Sequence, residues 1–307
     1  MCGLFGMFDT KGIYSGKERA QIVHALACES EVRGTDATGI AYNVHGQMQI
    51  KKRAVKASKL KFKIPEVSRA VVGHTRMSTQ GTELFNFNNH PFYGRAGVQK
   101  FVLAHNGVIH NDEVLRREKE LPKTKIETDS FVMVQLIEKQ NKIDHESLKE
   151  TAEALRGTFT FTVMDDHNRI YFVKGNNPLC IYHYPSTGLY LYASTKEILE
   201  KAILNIPILC GTHYEVMVSD GEIMSIDSSG KTTRSHFDVS NLASRFSYYD
   251  SYYSYLYEPA YRRKNTRYID ELKSVAAYFG YTGEDIDMLI DEGIDPMEIE
   301  DYLYGLA

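Results

Sequence analysis

Cys2 follows the first methionine directly, and Arg76, Asn106-Gly107 and Asp129 come after it at wide intervals. Removal of Met1 would leave Cys2 as the first residue, with a thiol and a free α-amine on the same amino acid. A thiol with a resting pKa of about 8.5 is a weak nucleophile, and an amine at about 7.7–8.0 is a suitable nearby base. Arginine presents a planar fork that takes a carboxylate bidentately. An aspartate can hold an ammonium. An asparagine amide beside a glycine N–H can stabilise the oxyanion formed when a thiolate attacks an amide carbon. Those functions together suit an amino acid with carboxylate, ammonium and side-chain amide, which describes free glutamine. Singly, each residue has a plainer reading: Cys2 as an inert buried thiol, Arg76 as a surface ion pair, Asp129 as a helix cap, Asn106-Gly107 as a turn.

The elements that must position these groups follow from the apolar pattern. Residues 2–8 read as a strand apolar on both faces, as a strand between two layers requires. Residues 17–31 carry Ala20, Ile22, Val23, Leu26 and Ala27 at helical spacing, with Cys28 on the same stripe. The turn-rich segment 33–39 leads into a strand at 40–44, and Gly46 makes a hairpin to 48–53. Further strands are expected at 71–76 and 101–104. Asn106-Gly107 then reads as a turn. Asn111 is expected to cap a helix to about Lys119, and Thr128 or Asp129 one to about Lys139, with a third helix over 146–155. From Gly157 the pattern becomes period two, with strands expected at 158–165, 169–174, 179–184, 188–193, 213–218 and 221–226 and a short helix at 196–202. The mixture is α+β rather than regularly alternating.

Three segments divide the chain: a domain over 1–238, a tyrosine-rich linker or arm over 239–267, and a small three-helix module over 268–307. Every charged residue from Glu284 to Asp301 is acidic, which suits docking better than chemistry. Composition is that of an ordinary globular protein, 43% hydrophobic and 25% charged. A net charge of −4 argues against general attraction to nucleic acid or an anionic membrane. The lysine-rich run 51–63 lacks interleaved aromatics other than Phe62 and reads as a solvated face. Cys2, Cys28, Cys180 and Cys210 are widely spaced, so neither a disulfide framework nor a zinc site is expected. With no secretory signal and no long apolar stretch, a cytoplasmic protein is expected.

Several motifs occur in one order: MCGLFG at the start, VRGTDATGIA at 32–41, GHTRMSTQG at 73–81, NHPF at 89–92, AHNGVIHN at 104–111, ETDS at 127–130 and LRGTFTFTVMD at 155–165. Weaker matches, NNPLCIY at 176–182 and YASTKEIL at 192–199, follow. On these motifs the chain resembles the glutaminase domain of the class II (N-terminal-nucleophile, purF-type) glutamine amidotransferases. The resemblance implies a four-layer αββα sandwich, Cys2 as nucleophile with its α-amine as base, and Asn106 and Gly107 as the oxyanion hole. It implies Arg76, Thr79, His90 and Asp129 on the substrate, and Arg33 bracing the site with Asp36 in the same loop. It implies no cofactor and no metal. Met77 stands where better-known members carry an aromatic residue, Gln80 where some carry histidine, and Phe131 where an acidic residue often follows.

No pyrophosphatase loop of asparagine synthetase type, phosphoribosyltransferase loop, sugar-isomerase repeat or Walker-type loop follows the motifs. The expectation is therefore a stand-alone glutaminase that passes ammonia to an acceptor enzyme on a separate chain, with homo-oligomerisation left open. An amide hydrolase acting on a γ-glutamyl conjugate, and a non-catalytic protein that keeps the fold, are the other readings.

Overall fold

The computed structural model describes residues 2–209, 211–242, 269, 272–277, 279–292, 294 and 296–303. The chain separates into two compact units, Met1–Ala243 and Ser244–Ala307.

The first unit is built on two antiparallel sheets. The seven-stranded sheet contains β1 (Gly3–Asp9), β2 (Ala37–Val44), β3 (Gln47–Arg53), β4 (Ala70–Arg76), β9 (Cys180–Tyr184), β10 (Leu189–Ala193) and β11 (Tyr214–Glu215), in the order β11-β9-β10-β1-β4-β2-β3. The six-stranded sheet contains β5 (Phe92–Ala96), β6 (Gln99–Ile109), β7 (Gly157–Asp165), β8 (Ile170–Lys174), β12 (Glu222–Ile226) and β13 (Thr232–His236), in the order β13-β12-β8-β7-β6-β5. Helices α1 (Gly16–Glu29) and α5 (Lys196–Leu204) pack on the first sheet; α3 (Phe131–Gln140) and α4 (His145–Ala154) pack on the second. Helix α2 (Asp112–Glu118) follows β6.

Three separate cores hold four layers together. Phe5, Met7, Ile22, Leu26 and Leu199 join the first sheet to its helices. Leu103, Phe161, Val132 and Leu148 join the second sheet to its own. Leu4, Phe8, Val72, Val102, Ala104 and Phe172 lie between the sheets. Side chains alternate along a strand, so β1 sends Phe5 and Met7 to the helices and Leu4 and Phe8 to the other sheet. This is why every residue of β1 is buried and why no polar residue appears in it before Asp9. Truncating Phe5 or Phe161, both wholly buried, would cost about 3–5 kcal/mol. This is the αββα sandwich expected of the resemblance.

Several local expectations change. Asn106-Gly107 is no turn: β6 continues to Ile109 and pairs with β7 through Gly107↔Phe159 and Ile109↔Gly157. Asn111 stands at the start of α2 without a side-chain cap bond; its amide instead donates to the Ala154 carbonyl and accepts from the Arg156 N–H. Neither Thr128 nor Asp129 caps α3, whose N-cap position is Ser130, because the Asp129 carboxylate is engaged with β6. Strands β5 and β13 had no apolar signal strong enough to mark them: β5 alternates Phe92 and Ala96 with exposed Tyr93 and Arg95, and β13 is polar throughout.

In the second unit residues 272–277 are helical, and helices follow at Gly283–Asp291 and Pro296–Leu303. Thr282 and Asp285 form a reciprocal capping box at the first of these two. The tyrosine-rich stretch 244–263 lies outside the described residues. Among the described residues no helix is long and apolar enough to cross a membrane.

Candidate active site

The face between the sheets changes character along its strands. On β4 the alternation runs Ala70, Val72, His74, Arg76; on β6 it runs Val102, Ala104, Asn106; on β1 it runs back through Phe8 and Leu4 toward Cys2. The apolar members of these series form the inter-sheet core. Their polar continuations therefore meet at one end of the same face, where the sandwich opens.

A cleft there encloses about 260 Å³ of empty space, its mouth included. Six residues singled out in the sequence line it: Cys2, Arg76, Thr79, His90, Gly107 and Asp129. Met77, Gln80, His105, Thr128 and Ser130 complete the lining. The other three stand behind it. Arg33 Nε donates to the Cys2 carbonyl, 2.9 Å. Asp36 accepts from the Ser78 N–H, 2.7 Å, and so holds the loop after Arg76. Asn106 is wholly buried and its side-chain amide has no hydrogen-bond partner among the described residues. An unpaired buried polar group costs about 1–3 kcal/mol, a cost that a bound oxyanion would relieve at Nδ2.

The arginine loop is fitted by close approach. A Cβ on Gly34 would lie 2.4 Å from the Arg76 carbonyl carbon, so only glycine lets the 33–36 turn press against the Arg76–Met77 backbone. Gly107 has φ +138°, and a Cβ there would stand 2.0 Å from the Thr158 carbonyl oxygen. Both positions need glycine for space.

Neither charged group of the cleft forms an ion pair among the described residues, although Glu83, Asp36 and Asp129 are close enough to Arg76 to act on it. Arg76 is buried, yet its guanidinium donates only to neutral oxygens: Asn89 Oδ1 at 2.6 Å, the Gln80 carbonyl at 2.7 Å and the Gly81 carbonyl at 2.6 Å. Burial pulls its pKa down. Asp129 is also buried; it accepts the Ile109 N–H at 2.6 Å and the Ser130 hydroxyl at 3.3 Å. Burial raises its pKa, against those hydrogen bonds. A buried cation and a buried anion, neither in an ion pair among the described residues, stand ready for a ligand that carries both opposite charges.

The Cys2 thiol donates weakly to the Met77 carbonyl, 3.5 Å. Burial pushes it above its ordinary range, with Arg76 among the opposing influences. It therefore stays a thiol at neutral pH unless a base acts on it.

Three histidines cluster at the cleft, His90 and His105 in its lining and His74 behind them, and of these only His90 has a role implied by the sequence. His74 and His90 lie against each other, rings tilted by 31° with centroids 4.2 Å apart. His105 Nδ1 pairs with the Ser130 hydroxyl at 2.8 Å. Burial holds His74 and His105 down at about 3 and His90 well below its ordinary value, so all three are neutral. Lys52, pushed down to about 8 by burial and by Arg76, donates to the Pro91 carbonyl beside them, 3.2 Å. Among the described residues no three His, Cys, Asp or Glu are arranged to hold a metal ion. His74, His105, Thr128 and Ser130 were visible within the GHTR, AHNG and ETDS motifs. A signal for His74 was its place two residues before Arg76, on the same strand face.

The family model described as a glutamine amidotransferase domain matches residues 74–201. The chain is 30% identical over 240 residues to the glutamine–fructose-6-phosphate aminotransferase (isomerizing) of Bacillus licheniformis.

The chain carries a class II glutamine amidotransferase domain.

The Bacillus licheniformis alignment covers 73% of this chain and 38% of the relative. The corresponding enzyme of Aquifex aeolicus is 33% identical over 197 residues, covering 59% and 30%. The chain thus spans less than two fifths of the length of these curated relatives. The structure of glutamine phosphoribosylpyrophosphate amidotransferase from Bacillus subtilis superposes with a TM-score of 0.62 at 20% identity, covering 78% of this chain and 50% of that one. That likeness shows the amidotransferase domain's fold.

Proposed function

We propose that the domain hydrolyses L-glutamine to glutamate and ammonia through a γ-glutamyl thioester on Cys2. The observation that carries this reading is the charge in the cleft: Arg76 and Asp129, both buried and neither in an ion pair among the described residues, beside one thiol. Arg76 takes the α-carboxylate and Asp129 the α-ammonium, which directs the side-chain amide at Cys2 Sγ. Thr79 and His90 complete the substrate wall, and Arg33 and Asp36 hold Cys2 and the 77–80 loop.

Because the thiol's pKa is raised, it needs a base. After removal of Met1 the α-amine of Cys2 takes that proton through a water. Sγ then bonds to the amide carbon, and the carbonyl electron pair moves to oxygen, where Asn106 Nδ2 and the Gly107 N–H receive it. Collapse breaks the C–N bond; the proton goes to the leaving nitrogen, which departs as ammonia. Water attacks the thioester in the same oxyanion site and releases glutamate and the thiol. Each oxyanion donor supplies roughly 2.7–4 kcal/mol of barrier lowering.

The ammonia is passed to an acceptor enzyme on a separate chain, in the cytoplasm, and the tyrosine-rich arm and acidic helices serve that docking. Support for this part is the acidic, short-helical character of the second unit. Cys2→Ala, assayed for glutamate release from glutamine alongside an intact-mass measurement of Met1 removal, tests the chemistry. Undiminished release from the variant would end the proposal. Purification with and without residues 244–307 tests the acceptor: loss of a bound ammonia-using enzyme on truncation is expected.

A further inference from the structure

We propose that Asn177 is a positioning residue for the oxyanion hole: it sets the plane of the Asn106–Gly107 peptide so that the Gly107 N–H faces the cleft. The proposal rests on the glutaminase reading given above and adds a residue that the motif comparison had left without a role.

Asn177 follows β8 in the loop that crosses the end of β7. Its side-chain Nδ2 donates to the backbone carbonyl of Asn106 at 2.9 Å, in a buried contact. A carbonyl can only accept, so the amide orientation is dictated: nitrogen, not oxygen, must face Asn106. The loop is itself tied to β7. The Thr160 hydroxyl donates to the Asn177 carbonyl at 2.6 Å, and the Phe159 N–H donates to the Asn176 side chain at 3.1 Å.

Thr160 and Phe159 are the residues that pair with Asn106 and Gly107 across the sheet. Asn177 therefore reaches the Asn106 carbonyl from the β7 side of β6. In a planar trans peptide the C=O and the following N–H point in opposite directions. Holding the Asn106 oxygen toward β7 thus turns the Gly107 N–H to the other edge of β6. Strand β5 pairs only as far as Leu103 on that edge, so it leaves Gly107 uncovered where Gly107 lines the cleft with Cys2.

A fixed plane is needed here because glycine imposes none of its own. At φ +138° Gly107 occupies a region where side chains would be strained, and glycine can rotate away from it at little steric cost. The same glycine lets Asn177 approach: a Cβ at 107 would stand 2.6 Å from Asn177 Nδ2. A flexible donor must be held before the reaction to be worth its full effect, since stabilisation comes from dipoles that need no reorganisation as charge develops. Asn177 adds to the β6–β7 pairing a hold on the Asn106 carbonyl from outside the cleft.

The test uses the full-length, methionine-processed chain with Asn177→Asp, which exchanges the donor for an oxygen at nearly constant volume, and Asn177→Ala, which deletes it. Three readouts are taken. Glutamine hydrolysis gives kcat and KM. Inhibition by glutamate γ-semialdehyde reports an adduct whose oxygen needs the donors. Alkylation at Cys2 by iodoacetamide, read by peptide mass, is a displacement in which no oxyanion forms.

The expected pattern is a roughly 10–100-fold fall in kcat, KM within about two-fold, aldehyde affinity weakened by a similar factor to kcat, and alkylation unchanged. If the aspartate variant does not fold, the alanine variant carries the same three readouts. A fall in alkylation that matches the fall in kcat would assign Asn177 to general integrity instead and overturn the proposal. So would a variant with unchanged kcat and unchanged aldehyde affinity. If the wild-type chain releases no glutamate, the glutaminase reading falls and this proposal with it; an active wild type with an equally active Asn177→Asp sinks this proposal alone.

Discussion

Two buried arginines, Arg19 and Arg76, sit near opposite ends of β1 and are treated in opposite ways. Arg19 is 2% exposed and meets Asp9, itself 0% exposed, at 3.0 Å. Its remaining donors go to the Glu66 carbonyl at 2.7 Å and the Ser68 carbonyl at 3.3 Å. Asp9 is further occupied by the N–H groups of Ile13 and Tyr14. Every charge there is answered from within the fold. Arg76 is 3% exposed, and its hydrogen bonds among the described residues go to neutral oxygens. Burying an ion costs several kcal/mol unless it is paired, so the first arginine is a structural clamp. The second holds a charge whose partner must come from outside. Burial alone does not separate structure from function; what distinguishes them is whether the buried charge is already matched.

This contrast can be broken by experiment. Arg19→Met leaves Asp9 buried and unpaired, and a loss of about 3–5 kcal/mol in unfolding free energy is expected, with KM for glutamine unchanged in the folded fraction. Arg76→Met should do the reverse: a stability loss smaller than that of Arg19→Met by denaturant titration, because no buried ion-pair partner is stranded, and kcat/KM for glutamine lower by about 10³. Equal stability losses in the two variants would erase the distinction.

Asp129→Asn sharpens the same contrast on the anionic side. It keeps the acceptor for the Ile109 N–H and removes the charge opposite the substrate ammonium. KM for glutamine should rise about 10–100-fold, equivalent to about 1.4–2.7 kcal/mol. A variant with wild-type KM would mean that the ammonium binds elsewhere.

The buried histidines give a pH signature. Their folded pKa values lie below the unfolded value of about 6.5, so the unfolded chain binds protons that the folded chain refuses. Their contribution is complete above about pH 6.5 and is lost as pH falls toward about 3, the folded value of His74 and His105. Each adds a slope of up to about 1.4 kcal/mol per pH unit in that window. Chemical denaturation from pH 7 to pH 4 should show stability falling, and His105→Gln should flatten the curve. An unchanged slope in that variant would show that His105 is protonated in the fold.

The smallest effect concerns the second unit. All lining residues of the cleft lie within 2–130, so removing residues 244–307 should leave kcat for glutamine hydrolysis within about two-fold. A larger loss would place the second unit in the chemistry.

Much of this was legible in the chain. Core strands with apolar runs, such as β1 and β10, announce themselves because both their faces are buried, and β7 does so by its period-two alternation. Hairpins punctuated by glycine do so because the turns demand it. The chemistry-bearing motifs were legible as types in order. Other features were not. Asn106-Gly107 looks like a turn, and only pairing with β7 carries the strand through it. Asp129 looks like a helix cap, but Ile109 draws its carboxylate to β6. Asn177 is one polar residue in a loop, and nothing local marks the carbonyl it would meet.

The sequence by itself determined which groups exist and on which face of each strand they stand, because alternation is a property of extended backbone. From it alone Arg76 shares a face with His74; that Asn106 shares one with Ala104 follows only once β6 is seen to run on to Ile109. The tertiary structure decided that those faces meet, that the ends of β1, β4 and β6 open at one place, and that among the described residues Arg76 is buried there without an ion pair while Arg19 has one. The reason is that pairing between strands far apart in the chain fixes distance and desolvation together. A residue's charge is written in its type, but whether that charge is neutralised depends on what the fold brings beside it.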